Sequence, residues 1–219
     1  MRKVGVILSG CGVFDGAEIH ESVLTLLALD QYGAQAVCCA PDIAQAAVID
    51  HATKQPQSEK RNVLQESARI ARGEIHSTAD MHATDLDALI LPGGFGAAKN
   101  LCNFAEAGAD CRVDPTVARL VGDMLKAGKP VGAMCIAPGL LGRVCGEHGI
   151  RATLTIGHDV ETAAAIVKSG CIHQDCHVDD VVVDASHKIV TTPAYRLARG
   201  PAEVWQGVQK LVERVLALI

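Results

Sequence analysis

The sequence has few aromatic residues and no cluster of positive charge. Three Phe, two Tyr and one Trp are the only aromatic residues among 219, and the 20 Lys and Arg residues are scattered along the chain. Nucleic-acid binding requires clustered positive charge, often beside aromatic side chains that stack on bases. We therefore expect no nucleic-acid partner. The formal net charge of −5 indicates only a soluble protein.

Long apolar runs are also absent from the sequence. No segment approaches the roughly 20 continuous apolar residues that a membrane-spanning helix needs. The apolar run Val4–Leu8 is too short for the apolar region of a secretory signal peptide, and the turn-forming Gly10 follows it. The sequence thus predicts a protein that does not associate with membranes and is located in the cytoplasm.

The spacings that are typical of bound metals and dinucleotides are missing as well. Cys and His residues cluster in Cys171–His177, but structural zinc usually takes its ligands from two separated pairs, so one tight cluster closes poorly around a metal. We interpret this cluster as a turn. In the glycine-rich loop Gly10–Gly16, Asp15 stands where a dinucleotide fingerprint needs its third glycine. We expect neither a metal nor an organic cofactor.

Strand-like and helix-like segments alternate along the whole chain. Strands are predicted at Lys3–Leu8, Gln35–Ala40, Asp87–Leu91, Lys129–Met134, Ala152–Ile156, Val181–Asp184 and Lys188–Thr192. Helices are predicted at Ala17–Gln31, Asn62–Arg72, Pro115–Gly128 and Asp159–Lys168, after Ile136, and from Ala202. Since repeated strand-then-helix order favours a parallel sheet covered by helices on both faces, the sequence predicts a flavodoxin-like, three-layer α/β sandwich. We expect residues 1–219 to form one domain.

One of the nine cysteines lies between a predicted strand and a predicted helix. The strand ends at Met134 and the helix begins directly after Cys135, which is the arrangement of a nucleophile elbow. Small residues at Gly132 and Ala137 allow the sharp turn, and amide groups of the new helix favour the thiolate. We expect Cys135 to be the nucleophile and to have the lowest thiol pKa of the nine. The alternative is an ordinary buried thiol, the commonest state of a free cysteine.

A second loop after a predicted strand is rich in glycine. The sequence Leu-Pro-Gly-Gly-Phe-Gly occupies Leu91–Gly96. Paired glycines let the backbone approach a substrate closely, and their amide groups can stabilise an oxyanion. A plain glycine turn is the alternative interpretation.

Four segments of the chain together resemble a known family. Ser9–Glu21, Pro92–Leu101, Met134–Pro138 and Thr191–Tyr195 resemble the PfpI-like superfamily of class I glutamine-amidotransferase-like domains. Within it they are most similar to the ElbB branch, bacterial glyoxalases that are also called isoprenoid biosynthesis proteins. The resemblance covers essentially the whole chain, and it implies the same α/β fold and a homodimer. The isoprenoid label is a pathway association that no residue of this chain shows.

The resemblance also implies the acid–base partners of the cysteine. The superfamily carries one glutamate hydrogen-bonded to the thiol at the start of the first helix, and this position falls on Glu21. Glu18 lies one turn earlier and stays possible, although a helix-start glutamate favoured by the helix dipole fits it well. A carboxyl group beside a thiolate would be protonated. His158 follows a short strand where related deglycases place a histidine, and a polar loop residue is its alternative interpretation.

The implied activity is that of a glutathione-independent glyoxalase, a lyase that converts the small dicarbonyl glyoxal to glycolate. Cys135 would form a hemithioacetal, and the backbone amides of Gly94 and Ile136 would hold the oxyanion. Glu21, helped by His158 as a further catalytic residue, would move the proton between the two carbons. Deglycation of proteins is a related possibility. Peptidase activity is in doubt because Ile136, rather than a histidine, follows the cysteine. The alternatives are a cysteine-based redox sensor or chaperone-like protein, and an amidase that needs a partner synthase.

Overall fold

The apolar segments that alternate along the sequence form the strands of a central sheet in a computed structural model that describes residues 1–219. The strands are β1 Lys3–Ile7, β2 Gln35–Ala40, β3 Ile49–Asp50, β4 Gln55–Pro56, β5 His76–Ser77, β6 Ala88–Leu91, β7 Val131–Met134, β8 Thr153–Leu154, β9 Ile172–His173, β10 Val182–Asp184 and β11 Ile189–Thr192. The helices are α1 Ile19–Gln31, α2 Val63–Ile70, α3 Phe95–Lys99, α4 Phe104–Ala107, α5 Pro115–Lys126, α6 Ala137–Glu147, α7 Val160–Lys168 and α8 Pro201–Ala217.

Seven strands form the central sheet in the order β10-β11-β7-β6-β1-β2-β5. All neighbouring pairs are parallel except β10 and β11, which are antiparallel at one edge. β3 pairs with β4 in a small hairpin, and β8 pairs with β9. The predicted α/β architecture with a mostly parallel sheet is confirmed.

Helices cover both faces of this sheet, and alternate residues of each strand point into two separate cores. Leu89 and Leu91 of β6 pack on the side of α5 and α6, whereas Ala88 and Ile90 pack on the side of α1 and α8. This alternation follows from the two-residue period of a strand. Because both faces are buried, the strands read as continuous apolar runs.

The first helix buries a different face from the one that its apolar spacing predicts. Ile19, Val23 and Leu27 recur at helical spacing, but they are 41%, 46% and 41% exposed. Glu21 and Thr25 are fully buried instead. The Thr25 hydroxyl satisfies its hydrogen bond within the helix by donating to the Glu21 carbonyl at 2.7 Å. α1 therefore turns a polar row towards the carboxyl edge of the sheet.

The glycine-rich loop after β1 has a structural role. Asp15 is buried, and its carboxylate accepts the amide hydrogen of Ile49 at 2.7 Å. Its carbonyl oxygen accepts the side-chain amide of Asn100 at 2.8 Å. Asp15 thus joins this loop to the β3–β4 hairpin and to the end of α3.

Several short elements were not predicted from the sequence. α3 and α4 follow the glycine-rich segment after β6, β5 pairs with β2 at the edge of the sheet, and β9 lies inside the cluster that we interpreted as a turn. Elements of two to five residues carry too little periodicity to be recognised in a sequence. No helix combines the length and the apolar character that crossing a membrane requires.

Candidate active site

Cys135 lies in the strained backbone of a nucleophile elbow. It follows the last residue of β7 directly, and its φ of 60° is in the left-handed region that few side chains other than glycine adopt. Its amide hydrogen bonds to the Thr192 carbonyl at 3.1 Å, which holds the turn against the end of β11. Ile136 is the N-cap of α6. Strain of this kind persists only where the surrounding structure holds it, and it is common at active sites.

The carboxyl group of Glu21 lies against the Cys135 thiol. Glu21 is fully buried, and its carboxyl group interacts with the Cys135 thiol closely enough to affect the pKa of both groups. The backbone amide of Gly93 donates to Oε2 at 2.8 Å, and the amide of Tyr195 donates to Oε1 at 3.2 Å. These bonds fix the carboxyl group between the loops that follow β6 and β11.

Two glycines allow this close packing. A Cβ atom on Gly93 would lie 2.5 Å from the Cβ atom of Cys135 and 2.9 Å from its sulfur. Gly94 has a φ of 92°, and a Cβ atom there would lie 2.5 Å from the Gly16 carbonyl oxygen. The backbone amide of Gly94 lowers the pKa of the Cys135 thiol. The Pro-Gly-Gly segment therefore forms a turn whose backbone packs directly against Cys135 and Gly16.

Glu18 has a different position from Glu21. It is the N-cap of α1, and its Oε2 accepts the amide hydrogen of Glu21 at 2.7 Å. Its side chain also lines the cavity described below. The structure thus brings Glu21 to the thiol and places Glu18 one turn away, at the cavity wall.

Burial and charge set the protonation of the pair. Burial is the main cause that raises the pKa of Glu21 to about 7, and the negative charge of Glu18 is the next. The hydrogen bonds from the amides of Tyr195 and Gly93 lower this pKa by less. Burial and the negative charge of Glu21 raise the pKa of Cys135 well above its ordinary value. The Gly94 amide and Arg196 lower it by less. The expectation that the helix amides would give Cys135 the lowest thiol pKa is therefore wrong, because desolvation outweighs them.

A cavity of about 440 Å³ opens over the sulfur of Cys135. Nine of the 16 residues that line it are hydrophobic, and four carry charged side chains. The residues that line it are Val13, Glu18, Gly94, Phe95, Ala98, Phe104, Ala105, Glu106, Gly108, Cys135, Ile136, Glu161, Thr162, Ala165, Tyr195 and Arg196. Cys135, Gly94 and Ile136, which the sequence singled out, therefore face the same space. A mostly apolar pocket with few polar groups is typical of small-molecule sites.

His158 is not among the residues that line the cavity. It is exposed in the loop before α7, next to Asp159, the N-cap of that helix. Arg196 bridges to the Asp159 carboxylate at 3.2 Å and projects towards the cavity in place of the histidine. The structure does not bring His158 to Cys135, because the strand that it follows, β8, pairs with β9 outside the central sheet.

Sequence reasoning assigned no role to three residues that lie at the site. Tyr195 and Arg196 follow β11 in a short helical turn and line the cavity. The hydroxyl of Tyr195 lies 2.6 Å from Nδ1 of His20, the residue before Glu21. Thr191–Tyr195 was singled out only by its resemblance to a family motif. Its place at the end of β11, which pairs with the elbow strand β7, is a signal that could have indicated a role at the site.

The Cys and His residues of Cys171–His177 face different surroundings. The buried Cys171 thiol points towards the Gly142 carbonyl oxygen of α6, 3.6 Å away. His173 contacts the exposed carboxylate of Asp175. The chain contains no group of three or more His, Cys, Asp or Glu side chains in an arrangement suited to a metal ion.

Comparison with curated proteins reveals relatives over nearly the whole chain. The chain is 44% identical over 226 aligned positions to the human protein "Glutamine amidotransferase-like class 1 domain-containing protein 3, mitochondrial", with 99% of this chain and 83% of the relative covered. It is 32% identical to "ES1 protein, mitochondrial" of Danio rerio, with 88% and 76% covered. No family model matches the chain.

Solved structures show the same fold. An isoprenoid biosynthesis protein with an amidotransferase-like domain from Ehrlichia chaffeensis superposes with a TM-score of 0.93 at 33% identity, with 100% of this chain and 99% of that chain covered. Glyoxalase III from Candida albicans superposes with a TM-score of 0.65 at 14% identity, with 100% and 97% covered. At 14% identity this second likeness shows the fold alone.

The relatives contradict the expected location in the cytoplasm. Both curated relatives described above are named mitochondrial. The sequence argument relied on the shortness of the apolar run Val4–Leu8, which does not distinguish compartments inside the cell. The names of these relatives therefore show that the predicted cytoplasmic location is wrong.

Cys135 at a strained elbow, a buried glutamate beside it and 44% identity over 99% of the chain lead to one conclusion. The chain belongs to the family of glutamine amidotransferase-like class 1 domain-containing protein 3 and the ES1 proteins.

Proposed function

We propose that this chain is a cysteine-dependent glyoxalase, a lyase of the ElbB type that converts glyoxal to glycolate without glutathione. The proposal rests on the contact between the buried Glu21 carboxyl group and the Cys135 thiol. Cys135 in turn lines a cavity of about 440 Å³. The fold shared with a glyoxalase III supports it. The cavity exceeds the size of glyoxal, so adducts on small molecules or on exposed side chains also fit, and deglycation is a related activity.

The reaction begins with addition of sulfur to one aldehyde carbon. Glu21 accepts the thiol proton and passes it to the aldehyde oxygen, so a neutral hemithioacetal forms and the carboxylate is restored. Backbone amides of Gly94 and Ile136 stabilise the oxygen while it carries negative charge. A carboxyl group with a pKa of about 7 is suited to both roles at neutral pH.

The central step moves hydrogen between the two carbons. The Glu21 carboxylate takes the proton from the carbon bonded to sulfur, the second carbonyl oxygen gains a proton, and an enediol forms. Glu21 then returns its proton to the second carbon, and the hydroxyl on the first carbon loses its own. The first carbon is thereby oxidised to a thioester and the second is reduced to an alcohol, so no external oxidant is needed. Water hydrolyses the thioester and releases glycolate and the free thiol.

Glyoxal turnover in deuterated water tests this proposal. The wild-type protein should form glycolate that carries one deuterium on its carbon, because the Glu21 proton exchanges with solvent. Cys135→Ala should lose turnover and the covalent adduct seen by mass spectrometry, while circular dichroism confirms its fold. Glycolate without carbon-bound deuterium would contradict the enediol step, and turnover by the Cys135→Ala variant would contradict the proposal itself.

Two other activities have less support from the site. An exposed thiolate suits a redox sensor, but Cys135 is only 8% exposed and its pKa is raised. A glutamine amidase uses a cysteine with a histidine partner, and none of the cavity-lining residues is a histidine. Glutamine hydrolysis with and without added cell lysate tests the amidase, and a single reaction with peroxide in place of repeated glyoxal turnover would favour the sensor.

A further inference from the structure

A tyrosine and a histidine form a hydrogen-bonded pair that leads from the cavity to solvent. The hydroxyl oxygen of Tyr195 lies 2.6 Å from Nδ1 of His20, and the Tyr195 side chain lines the cavity that holds Cys135. His20 is exposed at the start of α1. The pair joins two segments 175 residues apart in the sequence, so the fold itself creates it.

The pair is attached to the catalytic carboxyl group. His20 directly precedes Glu21, and the Tyr195 amide donates to Glu21 Oε1 at 3.2 Å. The charged groups that act on the Tyr195 hydroxyl are Glu18 and Glu21 of α1. The cavity that Tyr195 lines also contains the titratable or charged side chains Glu106, Cys135, Glu161 and Arg196. Partial burial and the negative charges of Glu18 and Glu21 raise the pKa of Tyr195. The phenol therefore keeps its proton at neutral pH and can act as a donor.

The proposed reaction needs a proton source that Glu21 does not supply. While Glu21 carries the proton that moves between the two carbons, the second carbonyl oxygen must gain a proton and the first hydroxyl must later lose one. In a cis-enediol these two oxygens lie side by side, so one donor at the cavity wall can serve both. A group connected to solvent can be restored after each turnover.

We propose that Tyr195 is a second acid–base catalytic residue and that His20 is the positioning residue that relays its proton to and from solvent. The inference rests on the proposed glyoxalase function. In this relay His20 donates its Nδ1 hydrogen to the Tyr195 oxygen, which turns the phenol hydrogen towards the substrate. The phenol gives its proton to the second carbonyl oxygen and receives the Nδ1 hydrogen of His20, while the exposed His20 ring takes up a proton from water at its other nitrogen. As the thioester forms, the hydroxyl on the first carbon returns one proton along the same path, so the pair ends each cycle unchanged.

Single-site variants separate this relay from the core reaction. Tyr195→Phe should lower kcat for glyoxal by roughly the 10²-fold or more that a lost acid–base group costs, with KM little changed. It should still form the Cys135 adduct seen by mass spectrometry. His20→Asn should lower kcat by less. Tyr32→Phe at the exposed second tyrosine and His177→Asn at an exposed histidine are the matched controls, and both should match wild type.

Chemical rescue of kcat distinguishes a relay from a structural contact. Added imidazole, a soluble proton carrier, should restore part of kcat in His20→Asn but not in Tyr195→Phe, whereas a merely structural loss would respond to imidazole in neither variant. Wild-type kcat in both variants, with Cys135→Ala inactive, would overturn the relay and leave the glyoxalase proposal standing. Absence of glyoxal turnover in the wild type would overturn both.

Discussion

At the residue scale, the Glu21 carboxyl group and the Cys135 thiol control each other's protonation. Glu21 has no exposed surface, and its pKa is raised to about 7. After burial, its negative charge is the main cause that raises the pKa of Cys135. A thiolate at this elbow is therefore favoured only when Glu21 carries a proton, so sulfur and carboxyl group titrate as one unit.

Replacing Glu21 with glutamine should lower the pKa of Cys135, because the neighbouring negative charge is lost while the shape is kept. Alkylation of Cys135 by iodoacetamide should become faster at a fixed pH near neutrality, although glyoxal turnover should fall by roughly 10²–10⁴-fold. Mass spectrometry of the labelled peptide measures the rate. Glu18→Gln is the control, since Glu18 is not among the main causes of the Cys135 shift, and its loss of turnover should be much smaller. Slower labelling in Glu21→Gln would contradict the charge argument.

The buried Glu21 also predicts a pH dependence of stability. Its pKa is about 7 in the folded protein and 4.5 as the ordinary value, so between these limits the folded state holds a proton that the unfolded state releases. The stabilisation is present below pH 4.5 and is lost as the pH rises through 7. By linkage the loss is about 3 kcal/mol.

Urea unfolding of wild type and Glu21→Gln at several pH values from 4.5 to 8 measures this effect. The variant lacks the titrating group, so it should gain stability relative to wild type as the pH rises. A constant difference across the range would show that Glu21 titrates near its ordinary pKa in the folded protein.

At the element scale, the glycine loop after β6 determines how closely the first helix approaches the elbow. Gly94 combines a φ of 92° with backbone atoms of Gly16 and Glu18 where a Cβ atom would lie. Gly33 also has a positive φ, 67°, but nothing lies within 4 Å of its Cβ position. Comparing alanine substitutions at the two positions therefore distinguishes the cost of steric overlap from the cost of backbone strain.

Gly94→Ala should destabilise the protein by several kcal/mol or displace the loop, whereas Gly33→Ala should cost about 1–3 kcal/mol from strain alone. Urea unfolding measures both, and iodoacetamide labelling of Cys135 reports any displaced loop. Equal losses of unfolding free energy in the two variants would contradict the steric argument, because they would mean that the loop after β6 shifts at no additional cost in stability.

The first helix illustrates why periodicity can mislead about the buried face. Three apolar residues at helical spacing lie on its exposed side, and Leu29, which is fully buried, packs on the sheet. Val23→Lys should therefore change the free energy of unfolding by no more than about 0.5 kcal/mol. Leu29→Ala should cost about 2–5 kcal/mol through lost burial and a cavity. Chemical denaturation compares them, and a large cost for Val23→Lys would show that this face is covered.

At the scale of the whole molecule, the site is assembled from the ends of neighbouring strands. β1, β6, β7 and β11 are parallel, so the segments that follow them meet at one edge of the sheet. They bring Glu21, Gly94, Cys135 and Tyr195 together, although Glu21 and Tyr195 are 174 positions apart in the sequence. The order of the strands therefore explains why the acid, the amide donor and the nucleophile lie together at one site.

The homodimer that the family resemblance implies is a prediction at the same scale. Sedimentation equilibrium should give twice the chain mass of 22.9 kDa. The fitted mass should stay constant over a tenfold range of protein concentration. A mass equal to one chain throughout that range would contradict it.

Several features followed from the sequence alone because their causes are local. Short apolar runs between turn residues identified the parallel strands, and the junction of strand and helix identified Cys135 as the elbow residue. The resemblance of Ser9–Glu21 to a family motif singled out Glu21. Propensity, turn chemistry and short motifs depend on residues that are near neighbours in the chain, so a sequence displays them directly.

Other features depended on contacts between distant segments, and only the tertiary structure decided them. His158 is outside the cavity and the Tyr195–His20 pair is at its wall, because strand order rather than sequence position determines which loops meet. The buried face of α1 and the raised pKa of Cys135 depend on what packs against them. Desolvation and charge act through space, and the sequence does not state those distances.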